Sequence, residues 1–339
     1  MNGRGLRVPR SRGEELRLRL LATAQLRRDL EILREGEYLV LPLAGEAPLS
    51  ADWGETVWRE FPSVHPPPPS DYRELLDWTP EAKADLPRSF DIVGDIVLVR
   101  LPDSLEPRKE EVGAALLSFV PAARIVGLDR GVHGPERRRH VERIAGSGGW
   151  STRHRENGLE LDVDIERAYF SPRLAHEHER VASEVRAGER VYDLCCGVGP
   201  FALTLARDGR ASRITAVDSN PAAVSLLRAT RARYAWGTRI EVVEGPIERF
   251  LPHAVAVERV ILNLPHEGIK YLPSVAPTIA PRGRLHYYEV TPRAEFERRA
   301  EGVVGALGTG EWTLVERHRV HPYSPTSDLV AFVLERLEL

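Results

Sequence analysis

The first part of the chain has an apolar pattern typical of a helix followed by a strand. From Leu16 onwards apolar residues recur at helical spacing, which predicts an amphipathic helix that ends near Glu35. Ser11 and Glu14 have the Ser-x-x-Glu spacing of a capping box, so we expect the helix to begin there. The apolar segment 38–43 then predicts a short strand.

A proline run and a second apolar pattern divide the next part of the chain. Residues 65–70 read His-Pro-Pro-Pro-Pro-Ser, which cannot continue a helix and predicts a stiff linker or an extended surface loop. Residues 90–101 are rich in β-branched residues with one glycine suited to a bend, and residues 109–120 have helical spacing. We therefore expect a small first module over residues 1–75 and a second α/β module over residues 76–165.

The last part of the chain, residues 166–339, alternates apolar strands with helices. This alternation predicts an α/β domain with a doubly wound, mostly parallel sheet. No internal repeat is visible. The alternating segments are, in order, residues 190–199, 201–207, 214–221, 222–234, 240–245 and 259–265.

A turn with two glycines follows the first of these strands and predicts a cofactor site. Asp193 precedes Gly197 and Gly199, which let the backbone turn sharply and approach a ligand at the start of a helix. The third glycine of a dinucleotide site is missing, and Asp193 would repel a pyrophosphate but suits the positive groups of S-adenosylmethionine. Asp218 ends the next strand, 19 residues after Gly199, at a spacing typical of an acid that binds ribose hydroxyls. The alternative is that both acids are solvated residues at strand ends.

The strand at residues 259–265 ends in Asn263 and Pro265. Open α/β sheets bind ligands at the carboxyl ends of their strands, so we expect Asn263 to face the transferable methyl group. Its amide and a nearby carbonyl can hydrogen bond with a planar base, while Pro265 keeps the turn stiff. The alternative is an ordinary Asn-Pro loop at the end of a strand.

Composition restricts the class of protein. The 339 residues predict two or three domains, and 42% hydrophobic with 29% charged residues is typical of a folded protein. No apolar run reaches the roughly 18–20 residues of a membrane helix, and the N-terminus lacks the apolar core of a secretory signal, so we expect a cytoplasmic protein. The adjacent Cys195 and Cys196 predict neither a disulfide nor a thiolate metal site, and we expect them to pack behind the turn.

Charge is distributed unevenly along the chain, although the net formal charge is only −3. Between Pro121 and Arg155 there are eight arginines and three acidic residues, a surplus of five positive charges. Because arginine binds phosphates and guanine edges through a planar fork, this segment predicts an anionic partner such as RNA. A solvated basic surface is the alternative.

Five motifs occur in collinear order at residues 134–139 (Gly-Pro-Glu-Arg-Arg-Arg), 154–158 (His-Arg-Glu-Asn-Gly), 169–174 (Tyr-Phe-Ser-Pro-Arg-Leu), 193–201 and 263–265 (Asn-Leu-Pro). Together they resemble the archaeal and eukaryotic tRNA guanine-37 N1-methyltransferase family, over nearly the whole chain. The resemblance implies S-adenosylmethionine as methyl donor and a C-terminal Rossmann-like class I methyltransferase domain. It also implies a middle domain that shapes the guanine site and a small N-terminal domain that contacts the outer corner of the tRNA.

The resemblance implies roles for individual residues. Loss of the N1 proton leaves negative charge on guanine O6, so methylation needs a carboxylate near N1 and a cation near O6. By resemblance the catalytic residues are Glu177 as general base, Arg137 at O6 with Arg139 as the alternative register, and Asn263 and Pro265 around the base. The implied substrate-binding residues are Arg139, Arg155, Tyr169, Arg173 and His178. The implied cofactor-binding residues are Asp193, Cys195, Gly197, Gly199, Phe201, Asp218, Asn220, Glu244 and Asn263.

Three positions leave a role open. Glu244, followed by Gly-Pro, stands where Gly-Asp is common in class I enzymes, and Thr230 stands where the family often has asparagine, so the contacts to adenine are not assigned. Arg173 and Glu177 lie four residues apart on one predicted helix face, so an ordinary ion pair is the alternative to a functional role for Arg173.

Four other functions compete with guanine methylation. A wyosine-pathway aminocarboxypropyl transferase resembles this fold and uses the same cofactor at the same position, but Glu177 and the Asn-Leu-Pro motif speak against it. An enzyme that also methylates a tricyclic wyosine intermediate is not separated by sequence. A nicotinamide dehydrogenase is disfavoured by Asp193 and the missing third glycine, and an RNA-binding protein could keep the fold without the chemistry. We expect tRNA as the partner, a monomer and no metal.

Overall fold

The computed structural model describes residues 1–45, 50, 52–64, 69–134, 138–308 and 311–338. Contacts divide the chain into two units, Met1–Ser70 and Asp71–Leu339, so the boundary falls five residues before the predicted end of the first module. The predicted linker lies mostly outside the described residues, and so does Arg137. Among the described residues, no helix combines the length and the apolarity needed to span a bilayer.

The first unit is a four-stranded antiparallel sheet with one helix. Its elements are β1 (Asn2–Pro9), α1 (Arg10–Ala22), β2 (Leu33–Glu35), β3 (Tyr38–Pro42) and β4 (Glu55–Glu60). The strand order is β2-β3-β1-β4. Leu6 and Val8 of β1, Leu16 and Leu20 of α1 and Leu41 of β3 are buried together as its core.

The structure confirms the predicted strand as β3 but corrects the helix before it. Helix α1 ends at Ala22 because the chain beyond it is extended, with Leu26 in a bridge to Leu43. Pro9 stands at the N-cap and has no side-chain acceptor, so the capping box predicted at Ser11 is wrong. The apolar residues after Ala22 therefore have helical spacing but belong to an extended segment.

The second unit begins with a four-stranded sheet and a hairpin. Its elements are α2 (Pro80–Lys83), β5 (Asp91–Val93), β6 (Ile96–Val99), α3 (Lys109–Phe119), β7 (Ile125–His133), β8 (Arg138–Gly146), β9 (Ser151–Glu156) and β10 (Leu159–Asp164). The sheet order is β5-β6-β7-β8, and α3 connects the parallel strands β6 and β7. The predicted helix at residues 109–120 is confirmed as α3. The predicted bend is confirmed at Gly94, whose φ of 57° turns β5 into β6.

A seven-stranded sheet follows. Its strands are β11 (Arg190–Leu194), β12 (Arg213–Asp218), β13 (Ile240–Glu244), β14 (Val257–Asn263), β15 (Ile279–Pro292), β16 (Trp312–Pro322) and β17 (Ser327–Arg336). The helices around it are α4 (Ala175–Glu184), α5 (Pro200–Asp208), α6 (Pro221–Ala232), α7 (Ile247–Phe250), α8 (Leu272–Val275) and α9 (Phe296–Leu307). The order is β13-β12-β11-β14-β15-β17-β16, and β17 alone is antiparallel to its neighbours β15 and β16. The predicted mostly parallel, doubly wound sheet is confirmed.

Both faces of this sheet are covered, which explains its nearly continuous apolar strands. Successive residues Val191 and Tyr192 of β11 enter different apolar clusters, as expected for side chains that alternate between faces. Residues of α4, α5 and α6 pack in the first cluster, and residues of α7, α8 and α9 pack in the second. The sheet is therefore a rigid central layer.

The strand order reverses between β11 and β14, and this reversal positions the site. From β11 the chain builds outwards through β12 and β13 and then returns to add β14 on the other side. Crossover connections on either side leave a crevice at the carboxyl ends of β11 and β14. Asp193 and Asn263 lie at these two strand ends, and Asp218 ends the neighbouring β12.

A buried ion pair lies near the N-terminal end of β14, away from Asn263. The Arg259 guanidinium is fully buried, and its Nε donates to Glu189 Oε2 at 2.8 Å while Nη2 donates to the Glu184 carbonyl at 2.8 Å. Nη1 contacts Nε2 of the buried His286. Burial and the charge of Arg259 hold the pKa of His286 well below its usual range, so this imidazole is neutral.

Loss of the acid in this pair should destabilise the protein. Glu189→Gln leaves Arg259 charged and buried, so we expect the free energy of unfolding to fall by about 3 kcal/mol. Urea unfolding of the full chain measures the change. The matched control is Glu241→Gln, whose ion pair with Arg213 is exposed and should be worth less than about 1 kcal/mol. Equal losses in the two variants would contradict this assignment.

Candidate active site

A cleft of about 790 Å³ opens at the carboxyl edge of the seven-stranded sheet. Its walls come from the strand ends of β11, β12 and β14, from the segment before α4 and from the turn between β16 and β17. The predicted site residues that line it are Tyr169, His178, Asp193, Cys195, Gly197, Phe201, Asp218, Asn220, Asn263 and Pro265. The sequence analysis thus located the cleft from its strand ends.

The glycine turn after β11 depends on left-handed backbone conformations. Cys195, Gly197 and Gly199 have φ values of 62°, 57° and 78°. The Gly197 amide donates to Asp218 Oδ2 at 2.7 Å, which ties the turn to the end of β12. Gly199 does not line the cleft: a Cβ there would lie 2.4 Å from Leu227, so its glycine lets α5 pack against α6. The predicted ligand contact of Gly199 is corrected to a packing role.

Asp193 is a buried carboxylate in which one of the two oxygens has a hydrogen-bond partner among the described residues. Its side chain is 1% exposed, and Oδ2 accepts from the Ala202 amide at 3.1 Å. Oδ1 is buried and has no partner among the described residues. Burial, with the nearby charge of Asp218, raises the pKa of Asp193 to about 7. A positively charged ligand group in the cleft would supply what this carboxylate lacks.

Asn263 presents a second unsatisfied acceptor on the adjacent strand. Its Oδ1 is buried without a partner in the part of the chain that the structure describes. Pro265 follows it along the wall, and the Pro265 carbonyl accepts from the Val290 amide at 2.9 Å, which fixes this turn to β15. Two orphaned oxygens on neighbouring strands therefore lie at the crevice.

Asp218 and Asn220 form the turn between β12 and α6. Asp218 Oδ1 accepts from the Asn220 amide at 2.8 Å. The Asn220 side chain is fully engaged, because Oδ1 accepts from Ala222 N at 2.9 Å and Nδ2 donates to the Arg167 carbonyl at 2.7 Å. Asn220 lines the cleft as a helix cap, and its role in cofactor binding stays a prediction.

After β13, Glu248 lines the cleft, whereas the sequence analysis named Glu244. Glu244 is absent from the described lining, and its carboxylate lies 3.3 Å from Arg228 on the surface. Glu248, in the first turn of α7, lines the cleft instead, and its Oε1 accepts from the Tyr271 hydroxyl at 2.6 Å. The sequence analysis missed Glu248 because no motif marks the short helix after this strand.

Glu177 precedes the cleft residue His178 but is not itself among the described residues that line the cleft. Its side chain is 4% exposed, and Arg180 donates to both carboxylate oxygens, at 2.7 and 2.9 Å. The Tyr288 hydroxyl donates to Oε1 at 2.7 Å, and His318 Nε2 is 3.1 Å from Oε2. Burial alone would raise the pKa of Glu177, but the bonds from His318, Arg180 and Tyr288 outweigh it and hold the pKa below its usual range. The alternative of an ion pair between Arg173 and Glu177 is not formed, because Arg173 pairs with Asp91 and Glu177 with Arg180.

His178, on the same helix, does reach the cleft. Its Nδ1 contacts Glu156, and its Nε2 is buried without a partner among the described residues. The ring packs edge-on against Phe201, with centroids 4.5 Å apart. The imidazole is therefore held in place with one nitrogen free for a ligand.

The described arginines that were predicted to bind substrate form ion pairs and hydrogen bonds within the protein. Arg139 is buried, donates to Asp129 at 2.6 Å and donates to the Phe170 carbonyl at 3.1 Å, which fixes the segment that carries Tyr169. Arg173 donates to Asp91 at 2.8 Å, and Arg155 lies 2.8 Å from Glu160 on the β9–β10 hairpin. None of these three arginines is among the described residues that line the cleft. Their contacts with substrate stay predictions, and Arg137 lies outside the described residues.

Cys195 and Cys196 both line the cleft without reactive character. Burial raises the pKa of each thiol far above its usual range, so neither is a thiolate at neutral pH. This agrees with the expectation that they pack behind the glycine turn.

Other aromatic and imidazole side chains in the lining carry no sequence signal that would have identified them. His266 follows Pro265, and its Nε2 lies 3.0 Å from the Tyr323 hydroxyl. Tyr323 and His321 come from the β16–β17 turn, which only the folded sheet brings to this edge.

Comparisons with known proteins match each part of the chain. A family model described as the TRM5/TYW2 methyltransferase domain matches residues 152–305. Models described as the TYW2 N-terminal domain and the tRNA methyltransferase 5 N-terminal domain match residues 72–149 and 5–50. The tRNA (guanine(37)-N(1))-methyltransferase Trm5b of Pyrococcus abyssi is 33% identical over 291 residues, which cover 86% of this chain and 85% of that protein. The chain belongs to the Trm5 family.

Further Trm5 proteins resemble the chain in sequence and structure. The protein named Trm5b from Methanocaldococcus jannaschii is 29% identical over 84% of this chain and 86% of its own length. The crystal structure of Pyrococcus abyssi Trm5b gives a TM-score of 0.75 at 29% identity, over 99% of this chain and 100% of that one. A complex of aTrm5 with tRNALeu also gives 0.75, at 27% identity over 98% and 99% of the two chains. Methanocaldococcus jannaschii Trm5 in complex with adenosine gives 0.67 at 26% identity, over 99% and 100%.

The cleft of this Trm5 family member fits S-adenosylmethionine, its cofactor. Asp193 Oδ1 is a buried acceptor without a partner among the described residues, suited to the positive amino group of the ligand. Asp218 lines the same cleft at the end of β12, where a carboxylate suits ribose hydroxyls. The apolar lining near Ile247 and the acid Glu248 suit a purine ring with an exocyclic amine.

Cofactor binding should depend on the charge of Asp193. Its pKa of about 7 means that roughly one tenth of the carboxylate is ionised at pH 6 and nine tenths at pH 8. A positive ligand group favours the ionised form, so affinity for S-adenosylhomocysteine should rise about tenfold between these pH values and level off above them. Calorimetric titrations across this range measure the effect.

Two variants make this test specific. Asp193→Asn should bind weakly and without the pH dependence, whereas Glu244→Gln, outside the cleft, should behave as the wild type. Wild-type affinity that is constant from pH 6 to pH 8 would contradict the role given to Asp193.

Proposed function

We propose that the chain transfers a methyl group from S-adenosylmethionine to N1 of guanosine 37 in tRNA. The observation that carries the proposal is the pair of buried, unsatisfied oxygens, Asp193 Oδ1 and Asn263 Oδ1, on neighbouring strands at one cleft of about 790 Å³. One suits a positive cofactor and the other suits the hydrogen-bond donors of a planar base. The names of the Trm5 relatives support the same reaction.

The end of the cleft near Asn263 is the proposed guanine site. Asn263 Oδ1 would accept from donors on the base, and Pro265 keeps its turn rigid. Tyr169 and His178 also line the cleft, and the buried His178 Nε2 has no partner among the described residues. Because N1 is inaccessible in a stacked anticodon loop, the target base must leave its stack to enter the cleft.

Proton removal from N1 is the step in which the protein's own residues take part. When bound, S-adenosylmethionine supplies an electrophilic methyl group. Glu177 is proposed to accept the N1 proton, which requires the base or α4 to shift so that the carboxylate and N1 come into contact. Arg137 is proposed to stabilise the charge that develops on O6.

A methyl-transfer assay tests the function. Transcript tRNA with guanosine at position 37 should accept labelled methyl groups and yield 1-methylguanosine on nucleoside analysis, because guanine has an N1–H beside O6 and adenine has neither. The same transcript with adenosine at position 37 should accept none. Equal labelling of both, or a methyl group on another position, would overturn the proposal.

Removal of the proposed base should impair chemistry and leave the cofactor bound. Glu177→Ala should lower the single-turnover rate at least about a hundredfold, the usual contribution of a general base, with S-adenosylhomocysteine affinity nearly unchanged. Glu179→Ala is the matched control, because this neighbour on α4 pairs with Arg207 and is partly exposed. Near-full activity of Glu177→Ala would remove the base assignment, and a similar loss in both variants would indicate a structural effect. Arg137→Ala should impair the same step.

One observation favours a second candidate. The middle of the chain, residues 72–149, matches a model described as the TYW2 N-terminal domain, so transfer of an aminocarboxypropyl group is the alternative. The mass of the modified nucleoside separates the two groups. Four expectations stay predictions: action on a tricyclic intermediate, contact of residues 1–75 with the outer corner of tRNA, a monomeric state and a cytoplasmic location.

A further inference from the structure

A path of polar side chains connects Glu177 to solvent. His318 of β16 has its Nε2 3.1 Å from Glu177 Oε2. On the other side of the ring, Nδ1 is 2.9 Å from Glu316 Oε1, although the two groups are not aligned for a hydrogen bond. Glu177 is 4% exposed, the His318 side chain 24% and that of Glu316 46%, so exposure increases along this path.

The surroundings of Glu177 determine where a proton can go. A carboxylate that accepts bonds from Arg180 and Tyr288 is stabilised in its ionised form and does not keep a proton. Arg180 keeps its own charge, and burial together with the charge of Glu177 raises the pKa of Tyr288 well above its usual range, so neither carries a proton away at neutral pH. Among the described partners of Glu177, His318 is the side chain whose type exchanges protons near neutral pH.

We propose that His318 is a proton relay that moves the proton of guanine N1 from Glu177 to solvent. The inference rests on the proposed function. As the N1–C bond forms, the electron pair of the broken S–C bond stays on sulfur and the N1 proton passes to Glu177 Oε2. The relay uses the His318 tautomer that carries its proton on Nδ1, so that within the same step Nε2 takes this proton and the Nδ1 proton leaves towards Glu316 and water. Exchange with water then restores the starting tautomer.

The charges that face His318 are compatible with this path. From α4 it faces Glu177 and Arg180, from β15 the Tyr288 hydroxyl lies on the same carboxylate, and Glu316 shares its strand. Its register partner on β17 is Ala331, which is apolar and small. The ring therefore lies between the carboxylates of Glu177 and Glu316.

Substitution of His318 should slow the chemical step alone. His318→Gln can still form a hydrogen bond with Glu177 but cannot relay a proton, so we expect the single-turnover rate of methyl transfer to tRNA to fall at least about tenfold. Affinities for S-adenosylhomocysteine and tRNA should stay within about twofold of the wild type. His253→Gln, an exposed histidine near α7, is the control and should keep the wild-type rate.

Chemical rescue separates a relay from a structural role. In His318→Ala, added imidazole should restore much of the rate, and the rescue should grow with the fraction of neutral imidazole; urea unfolding and cofactor binding establish that the variant is folded. A wild-type rate in His318→Gln, or a slow His318→Ala that imidazole does not rescue, would overturn the relay. If the wild type itself leaves guanosine 37 unmodified, the proposed function fails and the relay with it, whereas an active wild type with an unimpaired His318→Gln removes the relay only.

Discussion

The rest of the site depends on one electrostatic constraint, a carboxylate buried at the centre of a mostly parallel sheet with an oxygen that has no partner among the described residues. Burial of Asp193 without a countercharge costs free energy, and its pKa of about 7 expresses that cost. The fold provides the place for it at the crevice where the strand order reverses between β11 and β14. A ligand with a positive group offsets this cost. The buried charge of Asp193 therefore lowers the stability of the ligand-free protein and also favours binding of a positively charged cofactor.

The strands and their ends could be predicted from the sequence. Nearly continuous apolar runs indicated a sheet covered on both faces, and Asp193, Asp218 and Asn263 at the ends of those runs located the cleft. The pattern did not separate an amphipathic helix from an extended apolar segment after Ala22, because Leu26 has the same spacing in both. It also gave no sign of the antiparallel strands β16 and β17, which bring the β16–β17 turn to the cleft.

Side-chain partners were the least predictable feature. A motif places a charged residue near a site but does not say which opposite charge it meets. Arg139 meets Asp129 and Arg173 meets Asp91, so both hold the wall around Tyr169 and the start of α4 in this structure. Glu244 meets Arg228 on the surface, while Glu248, four residues further, lines the cleft. The contacts of Glu177 with Tyr288 and His318 join residues 111 and 141 positions apart, beyond any local pattern.

A crystal structure of the chain with S-adenosylmethionine tests the central claim most directly. The account predicts the amino group of the ligand in contact with Asp193 Oδ1, the ribose hydroxyls at Asp218 and the methyl group turned towards Asn263. A ligand that binds elsewhere, or that leaves Asp193 Oδ1 without a partner, would contradict it.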